Sequence, residues 1–228
     1  MSRAPHGAMI LFAAALLLHA ALALHHRERR AEWPGVPPPP SLPIAPAMAL
    51  GDPQLFYRAA TFALQNMGEE GGRVTPLADY DYARLGAWLD LLDRLDPKAR
   101  YAPTLAAYYF GQTPDSEGLR RIVAYLNRVG ARDPARNWRW LAHATYLARH
   151  RLHDLPLALA VARHLAGLPE GKVPLWVRQM PAFVLAEVGE REAARDLMAT
   201  ILATDANLSP DEAALIERFI ERQEQRGP

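Results

Sequence analysis

The stretch DPARNWRWLAHATYLARHRLHDLPLALAVARHLAGLP, residues 133–169, decides the fold. Asp133-Pro134 is a helix start: the carboxylate accepts from first-turn amides, and proline is tolerated where an amide has no helical partner. Asp154 gives a second start and Pro169 a stop, so the stretch reads as two helices joined by a short turn. No part of it alternates apolar and polar residues with a period of two, so no strand is expected.

Working outward, the same punctuation yields nine helices from Asp52 onward. Asp52-Pro53 opens the first, which stops at Gly68. Asp79 opens the second, whose Leu85, Leu89, Leu92 and Leu95 share one helical face up to Asp96-Pro97. The third covers about 102–110. Thr113-Pro114 opens the fourth, with Leu119, Ile122, Val123, Leu126 and Val129 inward and Gly130 as the stop. Asp133 and Asp154 open the fifth and sixth. Pro174 lies in the first turn of the seventh, the Gly189 turn precedes the eighth, and Ser209-Pro210-Asp211-Glu212 is a capping box for the ninth. Pro97, Pro134, Pro169 and Ala206 each close a helix pair, at intervals of 37, 35 and 37 residues.

A tetratricopeptide unit is about 34 residues, two helices with a degenerate Trp, Leu, Gly, Tyr, Ala, Phe and Pro pattern. Counting from Pro134 places Trp140, His143, Ala144 and Leu147 at the first-helix positions, the small Ala144 where two helices come close. Gly189, Ala194 and Met198 fit turn and second-helix positions of the last unit, although no unit is complete. With LGDPQLFYRAATFALQN (50–66), DYDYARLGAWLDLLDRLDP (79–97) and TLAAYYF (104–110), the chain resembles the bacterial N-terminally membrane-anchored tetratricopeptide-like proteins. The resemblance implies an all-α, right-handed helical-repeat solenoid over residues 51–228, in or on the inner membrane. It supplies no catalytic residue. It also implies that Tyr101, Trp138 and Trp176, and seven residues further on Tyr108, Thr145 and Phe183, line a concave groove able to grip a protein segment. The competing reading of the same rings is packing between successive units.

Residues 1–30 form an anchor or signal segment. AMILFAAALLLHAALAL, residues 8–24, is apolar except for His19; at about 1.5 Å per residue it extends roughly 25 Å, against about 30 Å of hydrocarbon. Arg3, Arg27, Arg29 and Arg30 can snorkel from its ends, giving a single-pass contact with the lipid bilayer. Ala21-Leu22-Ala23 also fits a signal-peptidase site, which would release a soluble periplasmic binding protein for a peptide or small ligand. The arginine bias after the span keeps the domain in the cytoplasm, whereas a short N-terminal tail exports it. These arguments nearly cancel, and the periplasmic side is preferred. Residues 31–50 carry Pro34, Pro37 to Pro40, Pro43 and Pro46 and read as an extended spacer, up to roughly 50 Å long.

Twenty-six basic and 25 acidic residues leave a net charge of +1, which argues against a nucleic-acid partner. The chain has no cysteine, so disulfides, thiolate metal sites and a cysteine nucleophile are excluded. His143, His150 and His153 could share a face, but without an H-E-x-x-H pattern they read as surface histidines and no metal or cofactor is expected. Asp79, Asp81, Asp90, Asp93 and Asp96 read as helix-start and solvated positions rather than acid–base pairs. Arg120, Arg121, Arg128, Arg132, Arg136 and Arg139 read as a mixed charged surface. The sequence therefore points to a non-catalytic, membrane-tethered scaffold for an unidentified protein partner.

Overall fold

The computed structural model describes residues 4–26, 36–70 and 73–225. It divides into two units, residues 1–34 and 35–228.

The first unit is helix α1, Ala4–His26, with no acidic residue in its first turn. It is apolar on every side rather than along one stripe, and its large side chains from Met9 to Leu24 are 48–73% exposed. Such a helix is at home only inside apolar surroundings. Among the described residues no helix is long and apolar enough to cross a membrane; the apolar run 8–24 falls short of a full span. The flanking Arg3, Arg27, Arg29 and Arg30 lie outside the described residues.

The second unit is helical apart from one two-residue ladder. Nine helices follow Asp52 in the described residues: α3 (Pro53–Asn66), α4 (Tyr82–Leu95), α5 (Tyr101–Tyr108), α6 (Ser116–Ala131), α7 (Pro134–Tyr146), α8 (Leu155–Ala162), α9 (Leu175–Glu187), α10 (Arg191–Thr204) and α11 (Pro210–Gln225). A short α2, Ile44–Ala47, precedes them. Aspartate caps set most starts: Asp52 Oδ1 accepts from Gln54 N (2.8 Å) and Leu55 N (3.2 Å), and Asp115, Asp133 and Asp154 act similarly. Ser209 and Glu212 form the expected reciprocal box, Ser209 N donating to Oε2 at 2.9 Å and Glu212 N to Oγ at 3.3 Å.

Four expectations are corrected. Helix α4 starts at Asp81, whose Oδ1 accepts from Ala83 N and Arg84 N at 3.0 Å; Asp79 ends a separate 3-10 turn, Leu77–Asp79. Helix α6 is capped by Asp115, while Thr113 is buried and its hydroxyl accepts from Asp115 N at 3.1 Å. A small antiparallel ladder pairs Glu69 with Val74 and Glu70 with Arg73, where no strand was expected; Gly71 and Gly72 lie outside the described residues.

The fourth concerns the spacer. Residues 31–35 lie outside the described residues, but from Val36 onward the segment is docked rather than free. Val36 and Ala45 have no solvent exposure. Trp88 Nε1 donates to the Pro37 carbonyl at 2.8 Å, and Arg84 Nη1 to the Val36 carbonyl at 3.4 Å. A proline run cannot donate to a ladder, but its carbonyls remain able to accept. Two side chains of α4 supply the donors.

Most helices pack mainly on a neighbour along the chain, α4 resting more on α6 than on α5, and α3, α5, α7 and α9 also pack side by side in that order. Phe110, Leu85, Leu89, Leu92, Ile122, Leu126, Leu141 and Leu147 fill the main core. Gly130 allows close approach of α6 to α7: a Cβ there would lie 2.5 Å from Leu141 Cγ. A second, smaller apolar cluster joins Ala182 of α9 to Ala194, Met198 and Ile201 of α10 and Ile216 and Phe219 of α11.

Candidate interaction surface

The layer formed by α3, α5, α7 and α9 carries most of the rings singled out by sequence. Tyr101 and Tyr108 are two turns apart on α5, and Trp176 and Phe183 two turns apart on α9, so each pair shares a face. These four are 37–56% exposed. Trp138 of α7 is half-buried against the main core. Thr145 is the exception and a correction: it is buried, its hydroxyl donating to the Leu141 carbonyl at 2.9 Å, so it offers nothing to a partner. A threonine can enter a helical core because that bond satisfies its hydroxyl.

The rings form separate groups. Tyr101 donates its hydroxyl to Gln65 Oε1 beside a depression of about 450 Å³ bordered by Gln54, Arg58, Phe62 and Asp96. Trp138 and Trp176 meet edge to face at 5.6 Å, joining α7 to α9, and the Arg139 guanidinium lies 4.3 Å over the Trp138 ring. Phe183 meets Phe219 edge to face at 5.4 Å, joining α9 to α11.

One group was missed by sequence. Tyr108, His143, Tyr146 and His150 form a continuous row, with ring separations of 4.6, 5.9 and 5.1 Å. His143, Tyr146 and His150 are spaced by three and four residues, which marks one helical face. That signal was open in the sequence; the phenol between the imidazoles is what joins apparent surface histidines into a row of tilted ring contacts. Among the described residues no group of three or more His, Asp or Glu side chains could hold a metal ion.

His143 Nε2 lies 2.8 Å from the Ala107 carbonyl. An oxygen that can only accept fixes that nitrogen as the donor. Burial pushes the imidazole below its ordinary pKa, against the carbonyl, which pulls it up. The ring is therefore neutral near neutral pH and part of the apolar row.

The charged residues are largely engaged with one another. Arg128 and Arg132 of α6 pair with Asp90 and Asp93 of α4, the latter at 2.5 Å. Arg120 meets Asp154 at 2.5 Å and Arg121 meets Glu117 at 3.2 Å. Asp96 accepts from Gln54 Nε2 and from the amides of Lys98 and Ala99, each at about 3 Å. Arg128 and Arg132 thus lace α6 to α4, and Arg120 ties α6 to the start of α8, surface pairs that each stabilise by about 0–1 kcal/mol.

The arrangement presents flat apolar rings with polar edges, suited to burying a partner's apolar side chains. Comparison with family models, curated proteins and solved structures finds no match to this chain.

Proposed function

We propose that this protein is a non-catalytic interaction scaffold, a right-handed solenoid of tetratricopeptide-like helix pairs attached through α1 to a membrane, the bacterial inner membrane by resemblance. The observation that carries the reading is the succession of exposed rings on α5, α7 and α9: Tyr101, Tyr108, Tyr146, Trp176 and Phe183. A protein segment with apolar side chains fits that surface, since aromatic anchors supply most of the binding energy at such contacts. The stacking of α3, α5, α7 and α9 in chain order supports the solenoid. The all-round apolarity of α1 supports attachment, its short span being accommodated by tilt-free insertion and local thinning of the bilayer.

Capture from detergent-solubilised membranes tests the scaffold reading, comparing the wild type with Trp176→Ala and Tyr146→Ala. A partner retained by the wild type and lost by both folded variants supports it. Equal recovery on all three would overturn it. Attachment is tested by carbonate extraction, which should leave the protein in the pellet; a mature chain beginning at Leu24 would instead favour secretion.

A further inference from the structure

Residues 36–41 lie in no helix, strand or turn, yet Val36 has no solvent exposure. Val36, Pro37, Pro38 and Pro39 each precede a proline, which pushes them to extended backbone, and the rings of Pro37 to Pro40 hold φ at about −65°. Such a stretch is a left-handed polyproline helix, whose carbonyls have no partner of their own.

The face of α4 that receives it reads those carbonyls. Trp88 Nε1 donates to Pro37 and Arg84 Nη1 to Val36, so two consecutive carbonyls meet donors one helical turn apart. Arg84 is steadied by Asp81, whose Oδ2 lies 3.1 Å from Nε. The Trp88 indole is backed by Phe56 of α3, with ring centroids 6.4 Å apart and planes 12° from parallel. Pro37, Pro39 and Pro40 stay half-buried and Pro38 exposed, so only the aliphatic Val36 enters the core. Side-chain donors for backbone carbonyls, a half-buried indole and one apolar pocket ahead of the prolines are the parts of a groove that recognises proline-rich chain.

The seating is shallow and strained. Between Pro37 and the start of α3, only Ala45 and Ala49 are buried. The arm joins α3 through Leu50 at φ 56° and Gly51 at φ 85°. A leucine is disfavoured in that left-handed region because its Cβ crowds the next carbonyl. Swinging the arm out at this turn releases the strain and frees the Trp88 and Arg84 donors for another segment.

We propose that the α4 face carrying Arg84 and Trp88 binds proline-rich segments of a partner protein, that residues 36–40 are its built-in occupant, and that binding exchanges one for the other. The ligand class is an aliphatic residue followed directly by a run of prolines, the chemistry of the segment already seated there. A tethered occupant competes at an effective concentration of about millimolar, so it sets a threshold that the partner must exceed. The site lies within residues 35–228 and rests neither on the exposed rings of α5, α7 and α9 nor on α1.

The probe is a fluorescein-labelled peptide of residues 35–41, GVPPPPS, followed by anisotropy against the full-length protein in detergent micelles. Pro37→Gly, Pro38→Gly, Pro39→Gly and Pro40→Gly together remove the built-in occupant; if circular dichroism shows that this variant does not fold, Val36→Asp removes it instead. The peptide should bind the emptied protein and bind the wild type more weakly. Adding Trp88→Phe, which keeps a ring but loses the N–H, should weaken binding to the emptied protein about three- to tenfold. A control peptide, GVGGGGS, should not bind. No binding to the emptied protein, binding that Trp88→Phe leaves unchanged, or equal binding of the control overturns the proposal. A wild type that sediments as a dimer while the emptied protein is a monomer assigns the groove to the segment of a second copy, and overturns it too.

Discussion

Arg178 of α9 and Asp205, the residue that ends α10, form an ion pair with 10% and 7% of their side-chain surfaces exposed. Nη1 donates to Oδ2, and the Asn207 amide donates to Asp205 Oδ1 at 3.1 Å. Burial, the largest single influence, pushes the carboxyl up, but the Asn207 amide, Glu170 and Arg178 together hold it below the ordinary range. Asp205→Ala would strand a buried guanidinium and should cost about 3–5 kcal/mol. Replacing both partners, Arg178→Met with Asp205→Leu, should cost less than either change alone. Urea unfolding of the three variants checks this; a double mutant less stable than both singles would show that the pair is not an isolated burden of charge.

Acid should destabilise the domain in two windows. His143 has a lowered pKa when folded, so below the unfolded value of 6.5 the unfolded chain binds more protons. Its contribution is complete above that value and is lost as pH falls from it to the folded pKa. The Asp205 contribution is present above the unfolded 3.8 and disappears as pH falls through the lower folded value. Between about pH 7 and pH 5, the unfolding midpoint of the wild type should fall more than that of His143→Gln. Parallel profiles would place the titrating group elsewhere.

Helix contact at α6 and α7 should be intolerant of volume. Gly130→Ala meets Leu141 at 2.5 Å, and Ala144 has no exposure. Gly130→Ala and Ala144→Leu should each cost about 1–3 kcal/mol, offset in part for the glycine by better helix propensity. Differential scanning calorimetry should show lower melting temperatures for both. An unchanged melting temperature for Gly130→Ala would mean that the two helices separate freely.

Three tryptophans should separate by role. Trp140 is buried, Trp138 half-buried and Trp176 half-exposed, although Trp138 and Trp176 touch. Trp140→Ala should lose about 3–5 kcal/mol of stability, as large core truncations do. Trp176→Ala should lose about 1 kcal/mol or less, which leaves it usable in partner capture. If Trp176→Ala unfolds as readily as Trp140→Ala, the exposed rings serve the fold and not a partner.

The helices were legible because their signals are local. Asp52, Asp133, Asp154 and Ser209 each act on amides two or three residues away, and the leucine spacing of α4 needs no knowledge of its neighbours. Starts at Asp79 and Thr113 were misplaced by two residues because Asp81 and Asp115 offer the same chemistry nearby. The docked segment from Val36 was illegible, since its binding depends on Trp88 and Arg84, about fifty residues away in sequence. Thr145 was misassigned because it was placed by register, seven residues after Trp138, whereas a bond to its own helix makes it a core residue. The row through His143 and Tyr146 was visible as spacing but not as a set of ring contacts, which requires Tyr108 from another helix.

The division of the apolar interior into a main body and a cluster around Met198 and Phe219 bears on how the molecule comes apart. Helices α10 and α11 rest on the rest of the unit chiefly through α9, so their amides should exchange with solvent through an opening that leaves α4–α7 closed. Helices α10 and α11 are then a separate cooperative element, able to melt and re-form while the remainder stays folded. A load or ligand applied there would be absorbed at α9 before it reached α4–α7.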